Sequence, residues 1–298
     1  MPTHSNFTFE DYLFYNKISS SIMFPIYIFA TFGNMIIVAA TLKSKKLRAT
    51  CSLLIAIQAL CESIYPISAF MFLYFALTEK IHTYHQCYWI QFVPLGAANI
   101  AINMMPVVAL DRCLSLGLPL WYRRKNARNY ICALLSVPVA YDIFLKILAY
   151  AFANDEEVVC VIPTGLAGLA AKIWSYAQGP VAVAVLIFYV AMRVYTKDLT
   201  RQSWVVINLN KSLQKIVVVY LCGYAAVAAV NFSGVMFSTN PYIINALSSF
   251  SGIFAGINAA SPVVILYCQS KLYRTEIDAL LGRKARVMVW SSSVHMTT

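Results

Sequence analysis

Long apolar stretches dominate the chain, and short polar segments separate them. A helix needs roughly 20 apolar residues to cross the hydrocarbon core of a bilayer. Seven stretches reach that length, at residues 18–42, 50–77, 88–113, 128–150, 173–197, 214–238 and 243–267. The pattern predicts an all-α membrane protein built as a seven-transmembrane helix bundle. Glu10, Asp11 and Lys17, rather than a basic segment, precede the first stretch, which indicates a retained signal-anchor.

The remaining residues leave little room for a separate soluble domain. We expect an extracellular arm over 1–17, a membrane domain over 18–268, and an amphipathic helix with a cytoplasmic tail over 269–298. In the segment 269–282 apolar residues recur at roughly helical spacing between charges, which is typical of a helix lying at the membrane interface. Gly282 is expected to end it as a C-cap.

Composition and charge support a membrane protein with its N-terminus outside. Of the 298 residues, 60% are hydrophobic and 12% are charged, against about 25% charged in a soluble domain. The net charge of +11 could suggest nucleic acid, but 19 of the 23 Lys and Arg residues fall on one side of the membrane, in or beside alternate connections and in the C-terminal tail. The positive-inside rule makes that side cytoplasmic. We therefore expect a plasma-membrane protein whose basic face meets anionic lipid headgroups, and no nucleic-acid partner.

Two features of the expected outer side agree with this orientation. Asn6 begins a glycosylation sequon on the N-terminal arm. Of the eight cysteines, only Cys87 and Cys160 are expected to face an oxidising space. They predict one disulfide between the start of the third span and the second outer loop, and the alternative is two free thiols.

Charged and polar residues inside the spans are expensive and usually mark function or pairing. Asp142 and Lys146 are four residues apart in the fourth span, which favours a structural ion pair over a ligand contact. Glu62 lies in the middle of the second span. Either it binds a cation with Asn34 and polar groups of the seventh span such as Ser261, or it is a neutral packing residue.

The spacing of several polar residues resembles that of rhodopsin-like G-protein-coupled receptors. Asn34 precedes Glu62 by 28 positions, and Cys87 precedes Arg112 by 25 positions, as the matching residues do in that family. Local sequences are most similar to nematode serpentine chemoreceptors of the Srsx type. The similar stretches are Gly33-Asn34, 43–48, 53–56, Asp111-Arg112-Cys113-Leu114 and 119–123.

The resemblance implies a receptor that couples to a heterotrimeric G protein. Asp111 and Arg112 would form the G-protein switch, in which Arg112 pairs with Asp111 at rest and turns to the G protein on activation. Pro180 and Pro262 would be helix kinks, because proline removes a backbone hydrogen bond. The seventh span departs from the family pattern, since both the Asn and the Tyr of its usual motif are missing around Ser261-Pro262. The sixth span contains no proline, and Cys113 replaces a usual Tyr.

The absence of certain residues excludes two classes of ligand. The seventh span has no lysine for a retinal Schiff base, and the outer part of the third span has no acid to bind an amine. The expected pocket is neutral and partly aromatic, and it suits a small neutral or pheromone-like molecule. Its candidate residues are Asn99, Asn103, Met104, Tyr176, Tyr224 and Asn231. A neuropeptide remains an alternative, because Asp155, Glu156 and Glu157 give the second outer loop an acidic entrance.

Two other classes of protein compete with a receptor. A transporter or channel could use the intramembrane charges as a relay, but seven spans do not divide into the inverted repeats that many transporters show. All four histidines lie outside the expected spans, which disfavours an intramembrane enzyme. We expect no enzymatic activity, no cofactor and no metal.

Overall fold

The computed structural model describes residues 7–197, 204–238 and 240–282, and they form a bundle of helices with one short hairpin. The first helices are α1 (Phe9–Lys43), α2 (Thr50–Ile64), α3 (Ile67–Thr78), α4 (Tyr84–Gly117), α5 (Pro119–Arg124) and α6 (Ala127–Phe152). They are followed by α7 (Gly168–Lys197), α8 (Trp204–Phe237), α9 (Pro241–Gln269) and α10 (Lys271–Leu280). Strands β1 (His82–Thr83) and β2 (Glu157–Val158) pair antiparallel.

Seven helical segments of the described chain are long and apolar enough to cross a membrane. They are α1, α2 with α3, α4, α6, α7, α8 and α9. This confirms the predicted all-α seven-helix fold, and the chain is a multi-pass membrane protein.

The first span begins earlier than the hydropathy pattern predicts. Helix α1 starts at Phe9 instead of residue 18, because Thr8 and Asp11 form a capping box. The Thr8 hydroxyl accepts from the Asp11 backbone at 3.3 Å, and the Asp11 carboxylate accepts from the Thr8 backbone at 2.8 Å. These bonds satisfy two N–H groups at the helix start. Residues 9–17 therefore continue the first span as helix.

The second span is interrupted, which its apolar pattern does not reveal. Helix α2 ends at Ile64 and α3 begins at Ile67, with Pro66 between them. Proline lacks the N–H that would bond the carbonyl of Glu62, and its ring crowds that carbonyl. The break lies next to the intramembrane acid.

Helix α4 is the central element of the bundle. It packs on α2, α6 and α7, while α9 packs on α1 and α8. The largest apolar cluster includes Leu54, Met104, Leu213 and Leu266, drawn from four different helices. Buried apolar contacts at this centre hold α4 in place, and both of its ends carry polar groups.

The bundle has two different ends. The end that carries β1, β2 and the start of α4 is called the disulfide end, and the end that carries α5, α10 and the end of α4 is called the Arg112 end. At the Arg112 end, α10 buries Tyr273 and Ile277 against the bundle, as its amphipathic pattern predicts. Gly282 follows with a φ of 68°, a left-handed conformation that glycine adopts without strain.

Candidate functional site

The last turns of α4 hold a buried ion pair at the Arg112 end. Asp111 is completely buried and Arg112 is 8% exposed. Arg112 Nε donates to Asp111 Oδ2 at 3.0 Å, and Arg112 Nη2 donates to the same oxygen at 2.5 Å. The arginine thus occupies one carboxylate oxygen only. The structure thus contains the Asp111–Arg112 pair that the family resemblance implies.

The other carboxylate oxygen is occupied by the connection between α4 and α6. The Tyr122 hydroxyl donates to Asp111 Oδ1 at 2.8 Å, and Lys125 Nζ lies 3.7 Å from that oxygen. Burial raises the pKa of Tyr122, and Asp111 raises it further. Burial lowers the pKa of Lys125 to about 8, with Asp111 opposing and Arg112 adding to the decrease. Sequence reasoning did not assign either residue to this site.

A cavity begins beside Arg112 and extends toward the middle of the bundle. It is narrow, with a cavity volume of about 30 Å³, and lies between helices α2, α4, α7, α8 and α9. Its polar lining includes Gln58, Glu62 and Arg112, and Pro262 and Met192 also border it. The predicted switch residue and the predicted intramembrane acid therefore line the same space.

Glu62 is bound by two hydrogen-bond donors in the middle of the bundle. Gln58 Nε2, one helical turn earlier, donates to Glu62 Oε1 at 2.8 Å. The Tyr220 hydroxyl of α8 donates to the same oxygen. Glu62 Oε2 is buried without a hydrogen-bond partner among the described residues. Tyr220 is one of two tyrosines in the apolar sixth span; this was the available sequence signal, and it was missed.

Asn34 and Ser261, the other residues of the predicted ion site, bond to backbone carbonyls of α9 and not to Glu62. Asn34 Nδ2 donates to the carbonyl of Ala259 at 2.9 Å, and the Ser261 hydroxyl donates to the carbonyl of Asn258 at 2.9 Å. Asn34 thereby ties α1 to α9. The structure describes no direct hydrogen bond from Glu62 to Asn34 or Ser261.

A second polar cluster lies nearer the disulfide end and joins three helices. Asp142 Oδ2 pairs with Lys146 Nζ at 2.8 Å, as the sequence predicts, and Asp142 Oδ1 accepts from Asn99 Nδ2 at 2.9 Å. Asn99 Oδ1 in turn accepts from Trp174 Nε1 at 2.9 Å. Gly96 makes room for this cluster, because a Cβ there would collide with the ammonium of Lys146.

The six predicted pocket residues do not line one space. Tyr224 borders a second, smaller cavity of about 10 Å³ between α4, α7 and α8, together with Gln178 and Tyr220. Met104 is buried in the apolar core. Asn99 is hydrogen-bonded to Asp142 and Trp174, and Asn103 donates to the Asn99 carbonyl. Asn231 is half-buried, and Tyr176 is 77% exposed.

The predicted disulfide is confirmed. Cys87, at the start of α4, is bonded to Cys160 in the connection between α6 and α7, and both residues are fully buried. Pro180 and Pro262 lie inside α7 and α9 as expected. Asn6, the predicted glycosylation site, lies outside the described residues.

Seven apolar helices, a disulfide at one end of α4 and a buried Asp-Arg pair at its other end define a seven-transmembrane receptor architecture. The family model of the serpentine type 7TM GPCR chemoreceptor Srsx matches residues 27–281, and the chain belongs to this family. No curated protein matches the sequence significantly.

Proposed function

We propose that this serpentine chemoreceptor binds a small uncharged ligand and signals through a heterotrimeric G protein at its Arg112 end. The observation that carries the proposal is the buried Asp111–Arg112 pair beside the cavity between α2, α4, α7, α8 and α9. An arginine that leaves the carboxylate can reach a partner inserted into this space. The helices that border the cavity are those that must separate to admit it.

Ligand binding would shift the bundle between two arrangements. A ligand can favour the active arrangement only by as much as it binds that arrangement more tightly. Pro180 in α7 and Pro262 in α9 interrupt the backbone hydrogen bonds of helices that border the two cavities. These prolines are the proposed kink points through which the change would travel.

Charge distribution supports an orientation with the Arg112 end in the cytoplasm. The α1–α2 connection carries Lys43, Lys45, Lys46 and Arg48, and α5 ends in Arg123 and Arg124. The disulfide end would then be extracellular, where cysteines are oxidised. We accordingly propose a plasma-membrane receptor with Asn6 glycosylated outside, and with α10 and the tail through residue 298 inside.

The second cavity is the proposed ligand chamber; in this structure it has room for about one water molecule, so it must widen to admit a ligand. Its lining is apolar except for Gln178, Tyr220 and Tyr224, and it contains no charged side chain. Such a lining favours a small, mostly apolar molecule with one or two hydrogen-bonding groups. A basic peptide is the second candidate ligand, because Asp155, Glu156 and Glu157 are exposed at the disulfide end.

Expression in cells that carry a G-protein dissociation reporter tests the proposal. The cells are exposed to volatile and water-soluble small molecules and to basic peptides. Arg112→Ala is expected to abolish any response at unchanged surface expression, whereas the exposed Arg124→Ala in the same region should respond normally. Responses that survive Arg112→Ala would show that Arg112 is not the switch.

A further inference from the structure

Lys125 is an unusual cation at the Arg112 end. Its ammonium lies 3.5 Å from the centre of the Tyr122 ring and 2.9 Å from the centre of the Tyr130 ring. The side chain is 6% exposed, and Nζ has no hydrogen-bond acceptor among the described residues. A desolvated ammonium is attracted to the faces of aromatic rings. The faces of the two tyrosine rings therefore stabilise the buried ammonium of Lys125.

Short local structure brings this charge to Asp111. Helix α5 starts at Pro119, directly after α4, and Lys125 follows its last residue. Tyr122, inside α5, donates its hydroxyl to Asp111 Oδ1, and Lys125 Nζ lies 3.7 Å from the same oxygen. Asn126 then caps the start of α6, which fixes the connection on its far side.

Two cations thus share one buried carboxylate, each nearest a different oxygen, and Arg112 Nη2 also donates to the Tyr122 hydroxyl at 3.3 Å. Arg112 uses Oδ2, and Lys125 with Tyr122 uses Oδ1. A carboxylate that loses its cation inside a protein becomes an uncompensated buried charge, which is strongly unfavourable. With Lys125 in place, Asp111 keeps a cation and a hydrogen bond after Arg112 leaves.

We propose that Lys125 is a positioning residue that neutralises Asp111 at the oxygen that Arg112 does not use and thereby eases the release of Arg112. The role in signalling rests on the proposed function, whereas the competition for Asp111 does not. Replacement of Lys125 by methionine should leave Arg112 as the only cation on Asp111. Arg112 should then be held more tightly, and the receptor should be harder to activate.

Chemical labelling of Arg112 tests this competition without a ligand or a G protein. The purified full-length receptor is treated with an arginine-specific dicarbonyl reagent, and modification is quantified by mass spectrometry relative to the exposed Arg124. Lys125→Met is expected to slow labelling of Arg112 by about three- to tenfold, given the strength of a charge pair at this distance. Lys125→Arg keeps the charge and should label at close to the wild-type rate.

The Asp111→Asn background separates competition from a general structural effect. There Arg112 should label faster, and adding Lys125→Met should have no further effect. Unchanged or faster labelling in Lys125→Met, or equal slowing in both backgrounds, would overturn the proposal. Melting temperatures identify a misfolded variant, and Lys125→Gln then replaces Lys125→Met because it also removes the charge.

Nucleotide exchange on a purified G protein distinguishes this proposal from the proposed function. If Lys125→Met slows both labelling and receptor-catalysed exchange, both stand. If labelling slows but exchange is insensitive to Lys125→Met and to Arg112→Ala, competition for Asp111 stands and the G-protein role of Arg112 fails. If exchange depends on Arg112 while labelling ignores Lys125, the proposed function stands and the role of Lys125 fails.

Discussion

The hydroxyl of Tyr220 on α8 donates to Glu62 Oε1 on α2, across the centre of the bundle. Both residues are buried, and Gln58 Nε2 donates to the same oxygen. On the other side of α8, Asn258 Nδ2 of α9 approaches the Tyr220 carbonyl at 3.4 Å. Tyr220 therefore joins α8 to α2 through its side chain and to α9 through its backbone, and its partner Glu62 lines the cavity that we propose a G protein enlarges.

Removing the Tyr220 hydroxyl should loosen α8. Tyr220→Phe keeps the ring and breaks the bond to Glu62, which leaves the buried carboxyl with Gln58 as its one remaining donor among the described residues. A lost buried bond of this kind costs about 1–3 kcal/mol. We expect higher ligand-free signalling in the reporter assay and a lower melting temperature.

Tyr141→Phe is the matched control for Tyr220→Phe. The Tyr141 hydroxyl is buried in α6 without a hydrogen-bond partner among the described residues, so its removal should neither raise ligand-free signalling nor lower the melting temperature. If Tyr220→Phe also signals at the wild-type level without ligand, the bond to Glu62 does not restrain α8.

The disulfide between Cys87 and Cys160 should be needed for the receptor to fold and reach the cell surface. Cys87→Ser releases a connection that closes a sequence separation of 73 residues, and the chain-entropy account assigns up to about 4 kcal/mol to such a closure. We expect loss of most surface expression, measured by antibody labelling of intact cells. Cys132→Ser, at an exposed free cysteine, should express normally. Normal surface expression and ligand response of Cys87→Ser would contradict a structural need for the disulfide.

Substitutions of Asp142 and Lys146 should have non-additive effects on stability. Asp142→Asn leaves a mostly buried ammonium without its carboxylate, and Lys146→Met leaves the carboxylate without its ammonium. Each single change should destabilise the receptor by about 3 kcal/mol, whereas the double variant should recover most of the loss. Thermal unfolding in detergent measures these changes.

The exposed pair of Lys17 and Glu79 provides the comparison for this cycle. Their side chains are 36% and 57% exposed, so Glu79→Gln should cost less than about 1 kcal/mol. Additive losses in the double variant of Asp142 and Lys146 would mean that the two residues act independently and that Asn99 alone holds Asp142.

The proposed ligand chamber predicts which substitutions shift ligand potency. Gln178→Leu removes a polar group of the apolar cavity between α4, α7 and α8, and a lost hydrogen bond should weaken an uncharged ligand by about tenfold. Tyr176→Phe, on the exposed face of α7, should leave the concentration for half-maximal response unchanged. The opposite ranking would place the ligand outside this cavity.

Several features of the fold were predictable because they depend on local composition. Apolar length predicts the seven spans, and the topology predicts that Cys87 and Cys160 meet. The spacing of Asp142 and Lys146 predicts their pair, since residues four apart share a helix face. The break at Pro66 was missed because hydropathy averages over the interruption.

Contacts between helices were much less predictable. Tyr220 reaches Glu62 because α8 and α2 are rotated about their axes so that these two side chains face each other. When the whole circumference of a helix is apolar, its sequence does not indicate which face packs against a neighbour. Tyr176 was grouped with the pocket for the same reason, yet it lies on the exposed face of α7. Lys125 is one of the basic residues that the charge pattern assigns to the cytoplasmic side, and that pattern does not reveal that α5 turns it inward to Asp111.

Titration of Lys125 gives a pH-dependent prediction. Burial lowers the pKa of Lys125 to about 8, whereas the usual value is 10.5. Between these values the unfolded chain keeps a proton that the native receptor has released, so native stability rises with pH. The melting temperature of the wild type should therefore increase relative to Lys125→Met from about pH 7.5 to about pH 9.5. Burial raises the pKa of Tyr122, which keeps its hydroxyl protonated and bound to Asp111 in this window.

Lys125→Arg separates the titration of Lys125 from that of other groups. Arginine stays charged throughout this window, so the difference between Lys125→Arg and Lys125→Met should not change with pH. A neutral Lys125 no longer compensates Asp111, and labelling of Arg112 relative to Arg124 should slow above about pH 8 in the wild type alone. A melting-temperature difference between wild type and Lys125→Met that stays flat would show that the ammonium between Tyr122 and Tyr130 is not destabilised by its burial.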